Sequence, residues 1–458
     1  MIGAGVARSA VYGLGLGRLT LLSMADDAMR KLTPTISRGL PDGTLVELLY
    51  NGEERTTALA VFRPGGAVSV EPFFDLSSGE RLVPYSATNN LITTGCVLLP
   101  SEVAPTGDKH ALLRDMRAFI HRYVDLSPLF EEIAAHYALL TWVYDAFNEL
   151  GYLRFRGDYG TGKTRALLAI GSLCYKPFFA SGASTVSPIF HVLDVFAGTL
   201  VFDEADLRFS DSTAELAKIL NNGTTSGLPV LRTLTNRHRE LNPRAFRVFG
   251  PKLVAMRESF ADRALESRFI TEETGGRTLR SDVPIQLPAS MTHEALALRN
   301  RLLSWRFAAL SQVQSDPTRL VPGVEPRRNQ TALALLSLVD DEELRRRIGE
   351  ELAGEEARVL QERASSFDAA MLLAVRDAYE VSPNGSASVS AIAEAFNQRT
   401  AAERGRPATN KWVGSFLRQR LRLATMKSHG VYVLPPTQRS RVATLAVRFG
   451  VADVREVA

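Results

Sequence analysis

The chain has 458 residues, of which 45% are hydrophobic and 23% are charged, and its formal net charge is +4. This length and composition supply ordinary globular cores and predict two or three folded units. Two cysteines, Cys96 and Cys174, and seven scattered histidines lack the spacing of a disulfide framework or a zinc site, which favours a reducing cytoplasm.

The N-terminal segment is apolar, but Arg8 and Arg18 interrupt it and no small-residue cleavage site follows. We therefore predict neither a membrane anchor nor a secretion signal. Its glycine pattern "GLGLG" follows no strand and is weak evidence for a nucleotide loop. We expect residues 1–34 to form a disordered or leader segment, with an over-long start before Met24 as one form of it.

Residues 35–106 favour a small β-rich N-terminal domain. The runs "LVELLY", "TALAVF" and "AVSVEPFF" are rich in strand formers, and "NGEERT" and "RPGG" between them have turn chemistry. In residues 107–287 the pattern changes, and apolar residues first recur at helical spacing. Ser127 followed by Pro128 predicts a helix start, so two helices lead into the next unit.

Between residues 152 and 271 short apolar runs alternate with helical stretches, which predicts an α/β core with a parallel sheet. Its strongest motif is G-x-x-x-x-G-K-T, in which glycines let backbone N–H groups wrap phosphates. Lys163 adds a point charge and the Thr164 hydroxyl ligates magnesium. The alternative is a glycine turn that precedes Lys-Thr by chance. The predicted cofactors are ATP and Mg²⁺, and the predicted nucleotide-binding residues of the loop are Gly157, Asp158, Tyr159, Gly160, Thr161, Gly162, Lys163 and Thr164.

The segment "TLVFDEAD" supplies an acidic partner 40 residues after Lys163. At the end of a buried strand, Asp203 would hold the water shell of the magnesium and Glu204 would orient and deprotonate the attacking water. A solvated acidic turn is the alternative. "DEAD" also names a family of RNA-unwinding enzymes, but the Ser-Ala-Thr motif, second RecA-like domain and arginine-rich motif of that family are not recognisable. We therefore attribute Ala205 and Asp206 to chance and to a helix-start aspartate.

The chain beyond the acidic pair has three further features. The segment "LPVLRTLTNRHRELNPRAFRVFG" predicts two strands around a polar tip, "PKLVAM" predicts a buried strand that ends at Arg257, and "ALESRF" follows. Residues 288–365 favour a helical lid, and residues 366–458 combine three helices with a strand pair, which is typical of a winged helix. Ten Lys and Arg residues between Arg404 and Arg448 face one acid, Glu403, which indicates a polyanionic partner.

This order of phosphate loop, acidic pair, helix, hairpin, strand with a polar end and "ALESRF" resembles the AAA+ helicases. The similarity is to the hairpin-bearing branch that contains the superfamily 3 and MCM-type ring motors. It is close from Tyr152 to Ile270 and looser through the lid and the winged helix. Within that branch the chain is most similar to the self-loading, MCM-like replicative helicases of bacterial mobile elements. The resemblance implies a hexamer with single-stranded DNA in its central channel.

The resemblance also implies roles for several arginines. The arginine of the "SRF" box, Arg268, would be an arginine finger that reaches the γ-phosphate of the neighbouring subunit, and a surface salt bridge to Glu266 or Glu272 is the alternative. Arg257 departs from the polar residue, often asparagine, that the family places at the end of that strand. It could touch the γ-phosphate or be structural. The sensor of the lid would be one of two residues, Arg327 or Arg328.

Two surfaces are predicted to contact DNA. The resemblance implies that the hairpin tip contacts the DNA backbone in the ring channel through Arg237, His238 and Arg239. Cations there bind phosphates without reading bases, and a charge-solubilised hairpin is the alternative. The third helix of the winged helix offers Lys411, Arg418, Arg420 and Arg422. On that helix Trp412 and Phe416, four residues apart, favour a core face, and a protein-binding winged helix is the alternative.

The sequence thus predicts an ATP-dependent DNA helicase that acts in the replication of a mobile element, plasmid or phage. No primase or nuclease constellation is visible, so a separate primase or polymerase is a further expected partner. The alternatives are an AAA+ ATPase that remodels protein–DNA complexes without unwinding, and an ATP-switched DNA-binding regulator. Glu204 and the arginine of the "SRF" box disfavour a pure switch because holding nucleotide requires neither.

Overall fold

The computed structural model describes residues 31–452, apart from 204–210, 236–240, 261–262, 365, 383–384, 402–405 and 429. The chain divides into two compact units. The first contains the residues up to 322 together with 326–348, and the second contains 323–325 together with the residues from 349 onward. Within the described part of the chain, no helix has both the length and the apolar character needed to cross a bilayer.

From residue 31, where the described part of the first unit starts, seven strands follow one another: β1 (Lys31–Thr35), β2 (Ser37–Gly39), β3 (Leu45–Asn51), β4 (Thr56–Phe62), β5 (Val68–Glu71), β6 (Phe74–Asp75) and β7 (Glu80–Pro84). They form an antiparallel sheet β2-β3-β4-β5 and a smaller sheet β1-β7-β6. The three strands predicted here are confirmed as β3, β4 and β5. Val46 and Leu59 belong to the same hydrophobic cluster as Phe178 and Phe202 further along the chain, so a separate N-terminal domain stays a prediction.

Three helices follow: α1 (Asn90–Thr93), α2 (Lys109–Tyr123) and α3 (Pro128–Thr141). The predicted start of α3 is confirmed. Its N-cap residue is Ser127, whose hydroxyl accepts a hydrogen bond from the Phe130 N–H at 3.2 Å, and Pro128 stands at the first helical position, where its missing N–H costs nothing. A short 3₁₀ turn, Tyr144–Ala146, leads to the central sheet.

The central part contains α4 (Lys163–Gly171), α5 (Val186–Phe196), α6 (Asp211–Asn222), α7 (Arg263–Glu266) and the strands β8 (Tyr152–Arg156), β9 (Phe178–Ser181), β10 (Leu200–Asp203), β11 (Val230–Thr235), β12 (Leu241–Phe246), β13 (Lys252–Met256) and β14 (Phe269–Glu273). Five strands form a parallel sheet in the order β14-β8-β13-β10-β9. Nearly every residue of β8, β10 and β13 is buried, as expected for a parallel sheet covered on both faces. The predicted α/β core with a parallel sheet is confirmed.

Strands β11 and β12 pair with each other antiparallel, from Val230 opposite Phe246 to Thr235 opposite Leu241, as the sequence predicts. Their base is held to the neighbouring helices. Arg232 is bonded to Glu215 of α6 and lies 4.1 Å from the ring centroid of Phe190 in α5. The ion pair and the cation–π contact together connect the base of the hairpin to α5 and α6.

The remaining elements are α8 (Ser290–Ala309), a 3₁₀ turn (Pro317–Arg319), α9 (Pro326–Leu338), α10 (Glu342–Ala364), α11 (Phe367–Glu380), β15 (Ala387–Ser388), α12 (Val389–Thr400), α13 (Asn410–Gln419), β16 (Met426–Ser428), β17 (Val431–Leu434), a 3₁₀ turn (Pro436–Gln438) and α14 (Arg439–Arg448). In the second unit the strands form a sheet in the order β15-β17-β16. The sequence predicted a strand pair there. The third strand, β15, escaped prediction because two residues are too few to show alternation.

A buried ionic cluster joins three parts of the first unit. Glu47 of β3, only 3% exposed, accepts hydrogen bonds from Arg306 of α8 at 2.9 Å and from the Tyr175 hydroxyl at 2.6 Å. Arg306 also makes a bidentate pair with Asp145, at 2.8 and 2.7 Å. Charges taken out of water must be paired to be tolerated, so this cluster fixes the strand, the core and the helix in one arrangement.

Lys252, at the start of β13, is a buried cation bonded to backbone carbonyls. Its ammonium donates to Val248 and Gly250 at 2.9 Å each, and to Gly223, just after α6, at 3.5 Å. It thereby ties the end of α6 and the segment after the hairpin to the start of β13. Burial lowers the pKa of Lys252 to about 7 because desolvation disfavours the charged form.

This pKa makes the contribution of Lys252 to stability depend on pH. A lysine in the unfolded chain titrates near pH ~10.4, so between about pH 7 and 10 the unfolded state binds more protons. Stability should therefore rise with pH in that window, by at most about 1.4 kcal/mol per pH unit. We expect the free energy of unfolding of wild type, minus that of Lys252→Met, to increase from pH 7 to pH 9 in denaturant titrations. A difference that stays constant over this range would contradict the assignment.

Candidate functional site

The phosphate loop follows β8 and ends in the first turn of α4. Gly160 and Gly162 have φ values of 72° and 86°, a region that side chains disfavour. At Gly157 an added Cβ would lie 2.4 Å from the carbonyl oxygen of Thr274, so a larger residue does not fit there. The ammonium of Lys163 lies over the loop, 2.8 Å from the Gly157 carbonyl oxygen and 2.5 Å from that of Asp158. The loop, the lysine and the helix N-terminus together supply backbone N–H groups and a positive charge that can bind an anion.

A hydrogen bond connects this loop to the neighbouring strand end. The Thr164 hydroxyl donates to Oδ2 of Asp203, the last residue of β10, at 2.7 Å. A hydroxyl beside a carboxylate is the kind of hard oxygen pair that binds magnesium together with phosphate. The residues present therefore fit the predicted metal. The partner acid Glu204 lies outside the described residues.

One cavity collects the predicted phosphate-site residues. It has a volume of about 340 Å³, and Lys163, Thr164, Asp203 and Arg257 line it together with most of the loop. Arg257 follows directly after β13, and its guanidinium carbon lies 3.6 Å from the centroid of the Tyr159 ring in the loop. The carboxyl ends of three adjacent parallel strands thus contribute the loop, the arginine and the carboxylate to one site.

Arg268 does not line this cavity, and its side chain is buried within its own chain. It is 7% exposed, and its guanidinium donates to the side chain of Asn221 in α6. The two acids considered as its surface partners are engaged with other residues. Glu272 accepts from Ser127 and Arg277, and Glu266 makes a bidentate pair with Arg154 at 2.7 Å for both bonds. The finger role of Arg268 stays a prediction.

Arg154 is a positioning residue that sequence reasoning missed. It stands in the middle of β8, is almost fully buried, and its guanidinium lies 4.8 Å from the ring centroid of Phe269. By holding Glu266 it fixes α7, the short helix that ends just before Arg268. An arginine inside the otherwise apolar run "YLRF" was the available signal, because a charge buried on a central strand requires a partner.

The two lid arginines occupy different environments at the start of α9. Arg328 is buried, whereas Arg327 is exposed. Neither is part of the cavity wall as far as the described residues define it. Burial raises the pKa of Glu149, and the positive charges of Arg327 and Arg268 oppose that shift. The choice between Arg327 and Arg328 as the lid sensor stays a prediction.

The predicted DNA contacts at the hairpin fall outside the described residues, since Arg237, His238 and Arg239 belong to the segment 236–240. Below that segment the hairpin cations are bonded to acids. Arg244 of β12 pairs with Asp194 of α5 at 3.0 Å, and Arg247 pairs with the same carboxylate at 3.3 Å. The cations at the base of the hairpin therefore anchor it to α5.

The four basic residues predicted to contact DNA in the second unit divide into two groups. Arg420 makes a bidentate pair, at 2.7 and 2.9 Å, with Asp368 near the start of α11, so its charge is partly neutralised. Lys411, Arg418 and Arg422 are exposed, and Arg418 donates to the Thr425 hydroxyl at 3.0 Å. The side chains of these three residues present their positive charge to solvent.

Strands β16 and β17 each contain an exposed residue that was not among the predicted DNA contacts. Lys427 and Tyr432 stand directly opposite each other and are both exposed, so they share one face of the strand pair. The charge balance of the segment could have drawn attention to Lys427, but its alignment with Tyr432 depends on the register.

Trp412 and Phe416 pack together as the sequence favoured. Their ring centroids are 5.0 Å apart, and Trp412 lies 5.7 Å from Phe396 of α12. Trp412 nevertheless stays 36% exposed. The pair therefore forms the edge of the hydrophobic core of the second unit.

No protein-family model and no curated protein matches the sequence. Among solved structures, the chain is similar to the C-terminal region of NrS-1 in its apo A form, with 11% identity, coverage of 85% of this chain and 96% of that chain, and a TM-score of 0.36. It is also similar to the active helicase Cch of SCCmec type IV, with 14% identity, coverage of 93% and 84%, and a TM-score of 0.36. A full-length MCM homologue from Methanopyrus kandleri shows 12% identity, coverage of 69% and 75%, and a TM-score of 0.33. Likenesses this distant carry no argument about function.

Arg420 differs from the exposed cations of the second unit because it makes an ion pair with a buried carboxylate. Removing the guanidinium would leave the buried carboxylate of Asp368 with less compensation. We expect Arg420→Ala to lower the free energy of unfolding by on the order of 1–2 kcal/mol. Lys411→Ala, which removes an exposed charge, should change it by less than about 0.5 kcal/mol. Denaturant titration of both variants is the measurement, and equal effects would contradict this division.

Proposed function

We propose that this protein is an ATPase whose hydrolysis drives movement along DNA, as a hexameric AAA+ helicase in the replication of a mobile element, plasmid or phage. The observation that carries the proposal is the hydrogen bond between Thr164 and Asp203 beside Lys163. It joins a phosphate loop to a strand-end carboxylate within one cavity, which is the arrangement that nucleoside triphosphate hydrolysis requires.

The residues of the chain divide the work of hydrolysis. Loop N–H groups and Lys163 bind the phosphates, while Thr164 and Asp203 hold the metal. When bound, Mg²⁺ supplies positive charge that neutralises the transferring phosphate. Glu204 takes the proton of the attacking water. Arg268 of a neighbouring subunit donates to the phosphate oxygens, which makes turnover depend on assembly.

The surfaces for DNA follow from the distribution of charge. The anchored hairpin carries Arg237, His238 and Arg239 between its strands and contacts the backbone of a single strand without reading bases. Residues 366–458 act as a winged helix in which α13 presents Lys411 and Arg418 to DNA, and Arg422 does so from the segment just after this helix. Arg420 contributes mainly through Asp368. A separate primase or polymerase completes the replication machinery in the cytoplasm.

The decisive measurement is strand displacement on forked DNA with ATP and magnesium. Wild type should hydrolyse ATP and displace the strand, and Lys163→Ala should lose both activities because the phosphates lose their main point charge. Lys31→Ala, at an exposed position on β1, is the matched control and should retain both. ATPase activity without displacement would instead favour the remodelling ATPase, and binding without turnover would favour the nucleotide-switched regulator.

Mixing variants tests whether Arg268 acts between subunits. Arg268→Ala subunits keep an intact phosphate loop, and Lys163→Ala subunits keep the arginine, so mixtures should regain part of the ATPase activity that each lacks alone. Asn221→Ala is the control, since it removes the same internal hydrogen bond but leaves the guanidinium in place. An absence of rescue at every ratio, with Asn221→Ala active, would count against the finger role.

A further inference from the structure

The contact between Arg257 and Tyr159 has a geometry that suggests a role beyond packing. The guanidinium carbon lies 3.6 Å from the ring centroid, the distance of a face-to-face stack. The ring belongs to the phosphate loop and is 72% exposed, so it covers little of the core. Phosphate binding by such a loop uses backbone N–H groups and does not require an aromatic side chain at this position. The tyrosine is therefore available for another task.

The strand register places the arginine beside the start of the phosphate loop. Arg156 of β8 pairs with Met256 of β13, so Gly157 and Arg257 are the first residues beyond the paired ends. The segments that follow β8 and β13 therefore leave the sheet at the same level. Arg257 also lines the cavity that contains Lys163, Thr164 and Asp203. A long cation at this position faces the same volume as the metal-binding oxygens.

Stacking leaves the hydrogen-bonding edge of a guanidinium accessible. The five N–H groups of an arginine lie in its plane, so a ring against its face leaves them able to donate to a phosphate. The same ring restricts the rotation of a side chain that otherwise loses much conformational freedom on binding. Tyr159 can therefore hold Arg257 in an orientation that suits a third phosphate group.

We propose that Tyr159 is a positioning residue that holds Arg257 for contact with the γ-phosphate, and that this pair gives the site its preference for nucleoside triphosphate over diphosphate. This inference rests on the proposed ATPase function and deepens it. It also selects between the two roles open to Arg257 from sequence, a direct contact or a structural one. Asparagine, the residue often found at this strand end in the helicases that the sequence resembles, is too short to stack in the same way, so here the loop contributes the support.

The test measures ATP and ADP binding to the full chain by competition with a fluorescent nucleotide, together with kcat and KM for ATP hydrolysis. In Tyr159→Leu the preference for ATP over ADP should fall by about 10-fold, as expected for a charged hydrogen bond that is no longer supported. The effect on kcat should exceed the effect on KM. Tyr159→Phe should restore most of the preference, because the ring and not the hydroxyl makes the stack.

Two comparisons sharpen the result. In a double-mutant cycle, Arg257→Ala with Tyr159→Leu should lower the preference no further than Arg257→Ala alone, since the tyrosine acts through the arginine. Phe73→Leu removes a similar stack elsewhere, where the Arg81 guanidinium lies 3.8 Å from the Phe73 ring centroid. That variant should leave the nucleotide preference unchanged.

Several outcomes would overturn the inference: an unchanged preference in Tyr159→Leu, a loss in Tyr159→Phe as large as in Tyr159→Leu, or fully additive effects in the cycle. Lys163→Ala in the same binding assay separates this failure from that of the proposed function. If Lys163→Ala binds ATP as wild type does, the ATPase proposal fails and the inference fails with it. If Lys163→Ala loses ATP binding and Tyr159→Leu does not change the preference for ATP over ADP, only the inference fails.

Discussion

The parallel pairing of β8, β13 and β10 is the constraint on which the candidate site depends. Because all three strands run in one direction, their carboxyl ends meet at one edge of the sheet. The phosphate loop, Arg257 and Asp203 leave the sheet at that edge. The bond from Thr164 to Asp203 then crosses over β13, which lies between the other two strands. A slip of the register would separate these groups and turn each side chain to the opposite face.

Buried basic side chains hold the surroundings of this edge in place. Arg154 fixes the segment before Arg268, Lys252 connects the end of α6 with the start of β13, and Arg306 joins β3 to the core. Each is bonded to carboxylates or to backbone carbonyls, since an uncompensated buried charge would cost several kcal/mol. Such bonds are directional and apolar packing is not. They therefore fix the orientation of the residues around the site, at a desolvation cost that a purely apolar core would avoid.

The sequence predicts the parts of this protein that follow local rules. The phosphate loop, the start of α3 at Ser127, the hairpin strands and the buried run of β13 all have signals within a few residues, and the structure contains each of these elements. The cavity also contains Lys163, Thr164, Asp203 and Arg257, as the motifs imply. The pairs of Arg154 with Glu266 and of Arg420 with Asp368 were not predictable, because their partners are more than 50 residues apart in the chain. The stack of Arg257 on Tyr159 likewise depends on the register.

The burial of Arg268 bears on the role proposed for this arginine between subunits. The Arg268 guanidinium is 7% exposed and is bonded to Asn221 within its own chain, so it would have to leave this buried position to reach a phosphate held by a neighbour. Asn221 is in the last turn of α6, close to Gly223, whose carbonyl accepts from Lys252. Movement of Arg268 would break its hydrogen bond to the end of α6. The same helix binds the hairpin through the ion pair of Glu215 with Arg232.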